Sequence, residues 1–157
     1  MITIKKAKIS DLKKVQELNL RLFKKEYEEY DGLLNLDWTF GKEGENYYMK
    51  RILEDDGCVY LAFKSDEIVG YLCGGLKKLQ TYRNIFSSAE LENMYVLKNF
   101  RSRGIGTELY RQFYKWCQEK GVKKIKVEAS VQNKGAIDFY QKNNFLNYTL
   151  VLESDVK

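Results

Sequence analysis

Apolar and polar positions change rhythm along the chain, and each change marks a different kind of element. Residues 2–8 carry Ile2 and Ile4 between polar neighbours, the period of two that predicts a strand. Ser10 then stands as a helix cap and Asp11 suits the positive end of the helix dipole. Leu12, Val15, Leu18 and Leu22 fall on one face of that helix. Between residues 30 and 44 the periodicity fails, and Gly32, Gly41 and Gly44 predict a long loop before a short helix over 45–53. Val59, Leu61 and Phe63 alternate, Ser65 and Asp66 turn the chain, and residues 68–76 complete a hairpin. Residues 79–88 read as a connector and 91–97 as a further strand.

The second half is mostly helical in period. Ile105, Leu109, Phe113 and Trp116 recur at helical spacing, with Gly121 as a stop. Ile125, Val127 and Ala129 alternate as a strand over residues 125–130. Asn133 caps a helix carrying Ile137 and Tyr140, and residues 145–152 read as a closing strand. The predicted order is β-α-α-β-β-β-α-β-α-β, with antiparallel hairpins first and strand–helix–strand crossovers after. That predicts an α/β protein with a mixed sheet, folded as one domain over residues 1–157.

Composition narrows the chemistry more than the class. The chain has 157 residues, long enough for one real core, and its 44% hydrophobic and 31% charged content is that of an ordinary globular protein. No apolar run reaches the roughly 18 residues of a membrane span. The opening residues lack the apolar core of a signal peptide, so a cytoplasmic address and no membrane partner are expected. Cys58, Cys73 and Cys117 are odd in number and form no CxxC, which predicts buried free thiols. There is no histidine, which removes the usual general base, the usual zinc ligand and every Ser-His or Cys-His pair. Chemistry without a metal must then use carboxylates, tyrosines or backbone groups.

Charge is uneven. Residues 26–56 hold ten acids and three bases, a net −7, so the rest of the chain carries +12 within the total of +5. One segment favours a cation while the remainder favours an anion. Nucleic acid is not an expected partner, because the lysines are scattered and no recognition motif is present.

The sharpest motif is Arg101-Ser102-Arg103-Gly104-Ile105-Gly106-Thr107, between a predicted strand and an amphipathic helix. Gly104 and Gly106 let backbone approach a ligand, and the helix start presents unpaired N–H groups. With Arg101 and Arg103 this is a site for phosphate. It is neither a P-loop, which needs GxxxxGK[ST], nor a dinucleotide fingerprint, since position 109 is Leu.

Leu91-Glu92-Asn93-Met94-Tyr95-Val96 followed by this loop resembles the signature of the GCN5-related N-acetyltransferases. Residues 133–140, Asn-Lys-Gly-Ala-Ile-Asp-Phe-Tyr, resemble that family's second motif, and the element order is similar over nearly the whole chain. Asn144 stands where the family usually has Gly, a mild departure because Asn tolerates the left-handed backbone of a helix stop. The resemblance implies a mostly antiparallel sheet split in a V between two parallel strands, with helices on both faces. It implies acetyl-CoA as co-substrate in that split, pyrophosphate on residues 103–107, pantetheine on the backbone of Tyr95 and Val96, and backbone N–H groups near Met94 to Val96 polarising the thioester carbonyl. Asn133 would hydrogen-bond the cofactor, and Tyr140 would protonate the departing thiolate in a ternary complex.

For the base, Glu92 is favoured, acting directly or through water, with Glu90 two residues away on the same face. The acidic loop 26–37, with Glu28, Glu29, Tyr30 and Asp31, and with Trp38 and Phe40 nearby, would lie over the acceptor. Acids with aromatics suit an alkylammonium, so a small cationic, polyamine-like amine is the first acceptor expected. A protein N-terminal or lysine amine is second, and a non-catalytic acyl-CoA sensor is the rival from another class. The sequence leaves the assembly open, with a homodimer as one option.

Overall fold

The structure is a computed structural model that describes residues 1–157. Its elements are β1 (Ile2–Lys6), α1 (Leu12–Glu29), α2 (Lys42–Leu53), β2 (Gly57–Lys64), β3 (Glu67–Lys77), β4 (Ser88–Val96), α3 (Ile105–Glu119), β5 (Lys124–Val127) and α4 (Lys134–Lys142). The five strands lie in sequence order in one sheet. β1 to β4 pair antiparallel, and β4 and β5 pair parallel across the α3 crossover.

The strand period sorts the core onto two faces. On one face Cys58, Leu72 and Leu91 meet Ile105, Leu109, Phe113 and Trp116 of α3. On the other, Val59, Leu61, Tyr71 and Cys73 meet Val15 and Leu18 of α1 and Tyr48 and Ile52 of α2. Each fully buried Leu or Phe side chain contributes about 1.5–3 kcal/mol, so both helical layers are fixed firmly to the sheet. The three cysteines are buried and free, as expected. No helix is long and apolar enough to cross a membrane.

The long loop between α1 and α2 is held by buried polar groups. Gln16 donates to the Thr39 carbonyl at 2.9 Å, the Thr39 hydroxyl donates to Asn19 at 2.6 Å, and Asn19 donates to the Tyr71 hydroxyl at 3.1 Å. Gly44 completes the seal: a Cβ there would stand 2.2 Å from the Trp38 carbonyl oxygen, so only glycine lets α2 close on the loop. Trp38 is thereby fixed against Phe23, Tyr47 and Tyr48.

Several expectations need correction. Ser10 caps no helix: it lies within a 3-10 turn over Ile9–Asp11, where the Asp11 side chain accepts from the Lys8 N–H at 2.8 Å. α2 begins at Lys42 rather than 45. β4 begins at Ser88 rather than 91, and β5 stops at Val127 rather than running to Ser130. The closing strand over residues 145–152 does not form. Leu146, Tyr148, Leu150 and Leu152 are exposed, and the segment pairs with no strand. Strand propensity describes fit to a pleated neighbour, and here the segment has none.

Candidate active site

The site begins where two strands part. β4 and β5 pair from Ser88–Lys124 to Leu91–Val127, and β5 then ends while β4 continues to Val96. At the same point β4 carries a bulge. Cys73 pairs with Asn93 and Gly74 with Leu91, so Glu92 faces no partner on β3. A bulge bends its strand and re-aims the extra side chain. The edge of β4 that faces away from β3 has no strand beside it beyond Leu91. A cavity of about 340 Å³ occupies the opening, walled by α1, α2, β3, β4, the chain after β5, and α4.

Beside the split, the loop from β4 to α3 makes a donor site. Ser102 and Gly104 have φ values of 58° and 77°, which reverse the chain into α3. No side chain caps α3, and its hydrogen-bond ladder first closes with the Glu108 N–H to the Gly104 carbonyl at 3.0 Å. The N–H groups of Ile105, Gly106 and Thr107 thus have no backbone acceptor, and the helix dipole adds positive potential. Arg101 and Arg103 are exposed there. Arg101 Nε donates to the Val96 carbonyl at 2.9 Å and its guanidinium lies over Tyr95, while Arg103 lies over Phe100. A Cβ on Gly106 would stand 3.9 Å from Met94 Cε, so the helix start abuts a residue of the cavity wall.

Glu92 is the centre of a polar cluster in that wall. Arg51 reaches it twice, Nε to Oε2 at 3.0 Å and Nη2 to Oε1 at 2.5 Å, Lys77 Nζ lies 3.1 Å from Oε1, and the Tyr47 hydroxyl donates to Oε2. The carboxylate side chain is only 8% exposed. Burial pushes its pKa up, but hydrogen bonds from Arg51 and Tyr47 and the charges of Arg51 and Lys77 outweigh burial and hold it below the ordinary value. Tyr47 moves the other way: burial, then Cys73 and Glu92, push its phenol far up and keep it a donor. Asn93 joins the network, accepting from the Tyr48 hydroxyl at 3.0 Å and donating to the Tyr47 oxygen at 3.3 Å.

Glu26, Trp38, Met94, Asn133 and Tyr140 share the cavity with this cluster. Asn133 caps α4, its Oδ1 accepting from the Ala136 N–H at 3.1 Å. Tyr140 packs edge-on against Phe139 and Phe145, and burial, then the charge of Glu26, raises its pKa. Burial likewise raises Glu26, with Lys25 lowering it and Asp31 raising it further.

Among the sequence-derived candidates, Glu92, Met94, Trp38, Asn133 and Tyr140 come together. Glu28, Glu29, Tyr30, Asp31 and Glu90 lie outside the cavity wall. Glu29 pairs with Lys25 at 2.7 Å, Tyr30 lies under the Lys25 ammonium, Asp31 caps the Leu33 N–H, and Glu90 meets Lys77 at 3.3 Å. Lys77 bridges the Glu90 and Glu92 carboxylates, so the two acids share a face as the sequence predicts, although only Glu92 lines the cavity. Sequence reading placed Glu26 only as one acid of the loop 26–37 and missed Tyr47, Arg51, Lys77 and Asn93. For Glu26 a signal existed: it falls four residues after Leu22 and extends the apolar stripe of α1 with a carboxylate.

Residues 12–145 match the acetyltransferase (GNAT) family. The uncharacterized N-acetyltransferase MJ1207 of Methanocaldococcus jannaschii is 27% identical over 129 residues, covering 80% of this chain and 54% of that protein. The N-alpha-acetyltransferase MAK3 of Arabidopsis thaliana is 33% identical over 88 residues, 55% of this chain and 44% of that protein. The chain thus spans about half the length of these curated relatives. The aminoglycoside N-acetyltransferase AAC(6')-Iy, solved with the bisubstrate analogue CoA-S-monomethyl-acetylneamine, shares the fold. Its TM-score is 0.76 at 15% identity, over 100% of this chain and 99% of that one.

Proposed function

Since the chain belongs to the GNAT acetyltransferase family, we propose that it transfers an acetyl group from acetyl-CoA to a primary amine. The observation that carries this reading is the uncapped start of α3 abutting Met94, in the wall of a cavity that also contains Tyr140. Phosphoryl oxygens suit the free N–H groups of residues 105–107 and the guanidinium of Arg103. The open edge of β4 at Met94, Tyr95 and Val96 suits an amide-bearing chain such as pantetheine. Acetyl-CoA supplies the activated acyl group.

The chain's own residues then have distinct tasks. Tyr140 delivers a proton to the departing sulfur, since burial keeps its phenol protonated at neutral pH. Asn133 fixes the start of α4 and with it the position of Tyr140. Glu92 holds Arg51, Lys77 and Tyr47 in place as one wall of the acceptor cavity.

A small cationic amine remains the acceptor this reading favours. Its support is now Glu26 with Phe23 and Trp38, a carboxylate beside aromatic rings inside the cavity, in place of the outlying acids of residues 28–31. The similarity to an N-alpha-acetyltransferase favours a second reading, a peptide N-terminal amine. Both are tested by following free thiol from acetyl-CoA with diamines, polyamines, an aminoglycoside amine and short peptides. Saturable thiol release with at least one amine is expected. Acetyl-CoA binding without release for every amine would replace the enzyme with a binding module.

A further inference from the structure

Three carboxylates line the cavity, and two of them are already committed. Glu92 is held by Arg51, Lys77 and Tyr47, and Glu128 pairs with Lys126 at 2.7 Å in an exposed position. Glu26 takes part in no ion pair and its side chain accepts no hydrogen bond. The adjacent Lys25 is turned to Glu29 and Tyr30 instead. Glu26 is half-buried, one helical turn beyond Leu22 and Phe23, which line the same cavity. We propose that Glu26, rather than Glu92, receives the acceptor ammonium and takes its proton, an inference that rests on the acetyl-transfer reading above.

The chemistry follows from where charge is free. An ammonium approaching Glu92 meets Arg51 and Lys77 first, and a carboxylate with four donors on it is a weak base. Glu26 offers an unshared carboxylate beside the aromatic rings of Phe23 and Trp38. Its charged neighbours on α1 and the following loop are Lys25 and Asp31. Facing it around the cavity are Tyr47 and Arg51 of α2, Lys77 of β3, Glu92 of β4, and Glu128 and Tyr140 beyond. Burial sets Glu26 above the ordinary carboxylate range, nearer to the basicity a general base needs.

The proton count balances. One ammonium proton passes to Glu26, and the nitrogen lone pair forms the C–N bond to the acetyl carbon. The C–S bond breaks, and its electron pair leaves on sulfur with the Tyr140 proton. The nitrogen then sheds a second proton, which restores Tyr140 through solvent, and Glu26 releases its own. The sum is one amide, one thiol and one proton.

The test compares Glu26→Gln and Glu92→Gln in the full chain, with kcat and KM measured between pH 6 and 10 and acetyl-CoA affinity measured by calorimetry. Glu26→Gln is expected to lower kcat/KM at pH 7 by roughly 10²-fold and leave acetyl-CoA affinity unchanged, as loss of a general base does. The defect should shrink as pH approaches the amine's own pKa, near 10, where neutral amine is supplied by solvent. Glu26→Asp, which keeps a carboxylate, should recover part of the loss. A Glu26→Gln profile superimposable on wild type, or high-pH rescue seen only in Glu92→Gln, would overturn the proposal and return the base to Glu92. Failure of the wild-type chain to turn over any amine would instead remove the acetyl-transfer reading, and this proposal with it.

Discussion

Residues 101–107 abut the cavity wall that holds Glu92, yet only the first group is made of neighbours in sequence. The donor loop uses seven consecutive residues and backbone N–H groups, and its shape follows from Gly104 and the start of one helix. The cavity wall proposed to receive the acceptor draws Glu26 from α1, Tyr47 and Arg51 from α2, Lys77 from β3, Glu92 from β4 and Tyr140 from α4. A site of the first kind is specified locally and serves a constant group such as a pyrophosphate. A site of the second kind depends on how layers pack, so a single exchange in any of several elements can re-aim it toward another acceptor.

The largest effect that tests this contrast is expected at Glu92. Glu92→Gln leaves Arg51 and Lys77 facing each other in the wall, and breaking a buried pair of this kind costs about 3 kcal/mol. Urea melts at pH 7 should show that loss. The sign with pH is fixed: the folded pKa of Glu92 lies below its unfolded value, so its contribution is present above the ordinary carboxylate range. It fades as pH falls through the lower folded value. Glu26 has the opposite sign, since its raised pKa makes the folded state lose stability as pH rises through that value. Glu26→Gln should therefore raise Tm at pH 7 while lowering turnover. A fall in Tm would mean that Glu26 is a structural partner after all.

How much of this was legible in sequence follows the same division. The turn of residues 101–104 into a helix, the Asn133 cap and the left-handed Asn144, at φ 68°, are local features and were read correctly. The element order was legible up to α4, because periodicity reports burial along a single element. The closing strand was misread because a strand exists only with a partner, which residues 145–152 lack. Glu92 was singled out, but its ion pairs were invisible, because Arg51 and Lys77 are 41 and 15 positions away. The acidic loop 26–37 drew attention by its charge and nearby aromatics, and of its acids Glu26 is the one that the turn of α1 carries into the cavity wall.

Next in size is Tyr140. Tyr140→Phe keeps the ring packed on Phe139 and Phe145 and removes only the hydroxyl proton. A fall of roughly 10²-fold in kcat with unchanged acetyl-CoA affinity is expected of a lost general acid. Wild-type turnover would show that the thiolate departs unassisted. At the donor loop, Gly104→Asp should weaken acetyl-CoA binding about tenfold or more, by placing a negative charge where the helix start attracts an anion. Gly104→Ala separates charge from shape. The space around its Cβ is open, so its effect is the left-handed backbone alone, about 1–2 kcal/mol of stability. Equal affinity losses for both variants would mean that backbone shape, and not repulsion, governs the loop.

The smallest effect should come from the acids that sequence composition made most conspicuous. Neutralising Glu28, Glu29 and Asp31 together removes three charges that lie outside the cavity wall, one of them already paired with Lys25. All three are exposed, where salt screens their pull on a cation in the cavity, so the acceptor's KM should rise by less than about threefold. That rise should vanish in 0.5 M salt. Losing Asp31 also lowers the pKa of Glu26 slightly, because Asp31 is one of the charges that raises it, so the acid limb of the rate profile should shift to lower pH. A tenfold rise in KM that persists in high salt would put the acceptor against residues 28–31. The acceptor wall would then be local in sequence, like the donor loop, and the contrast between the two would fail.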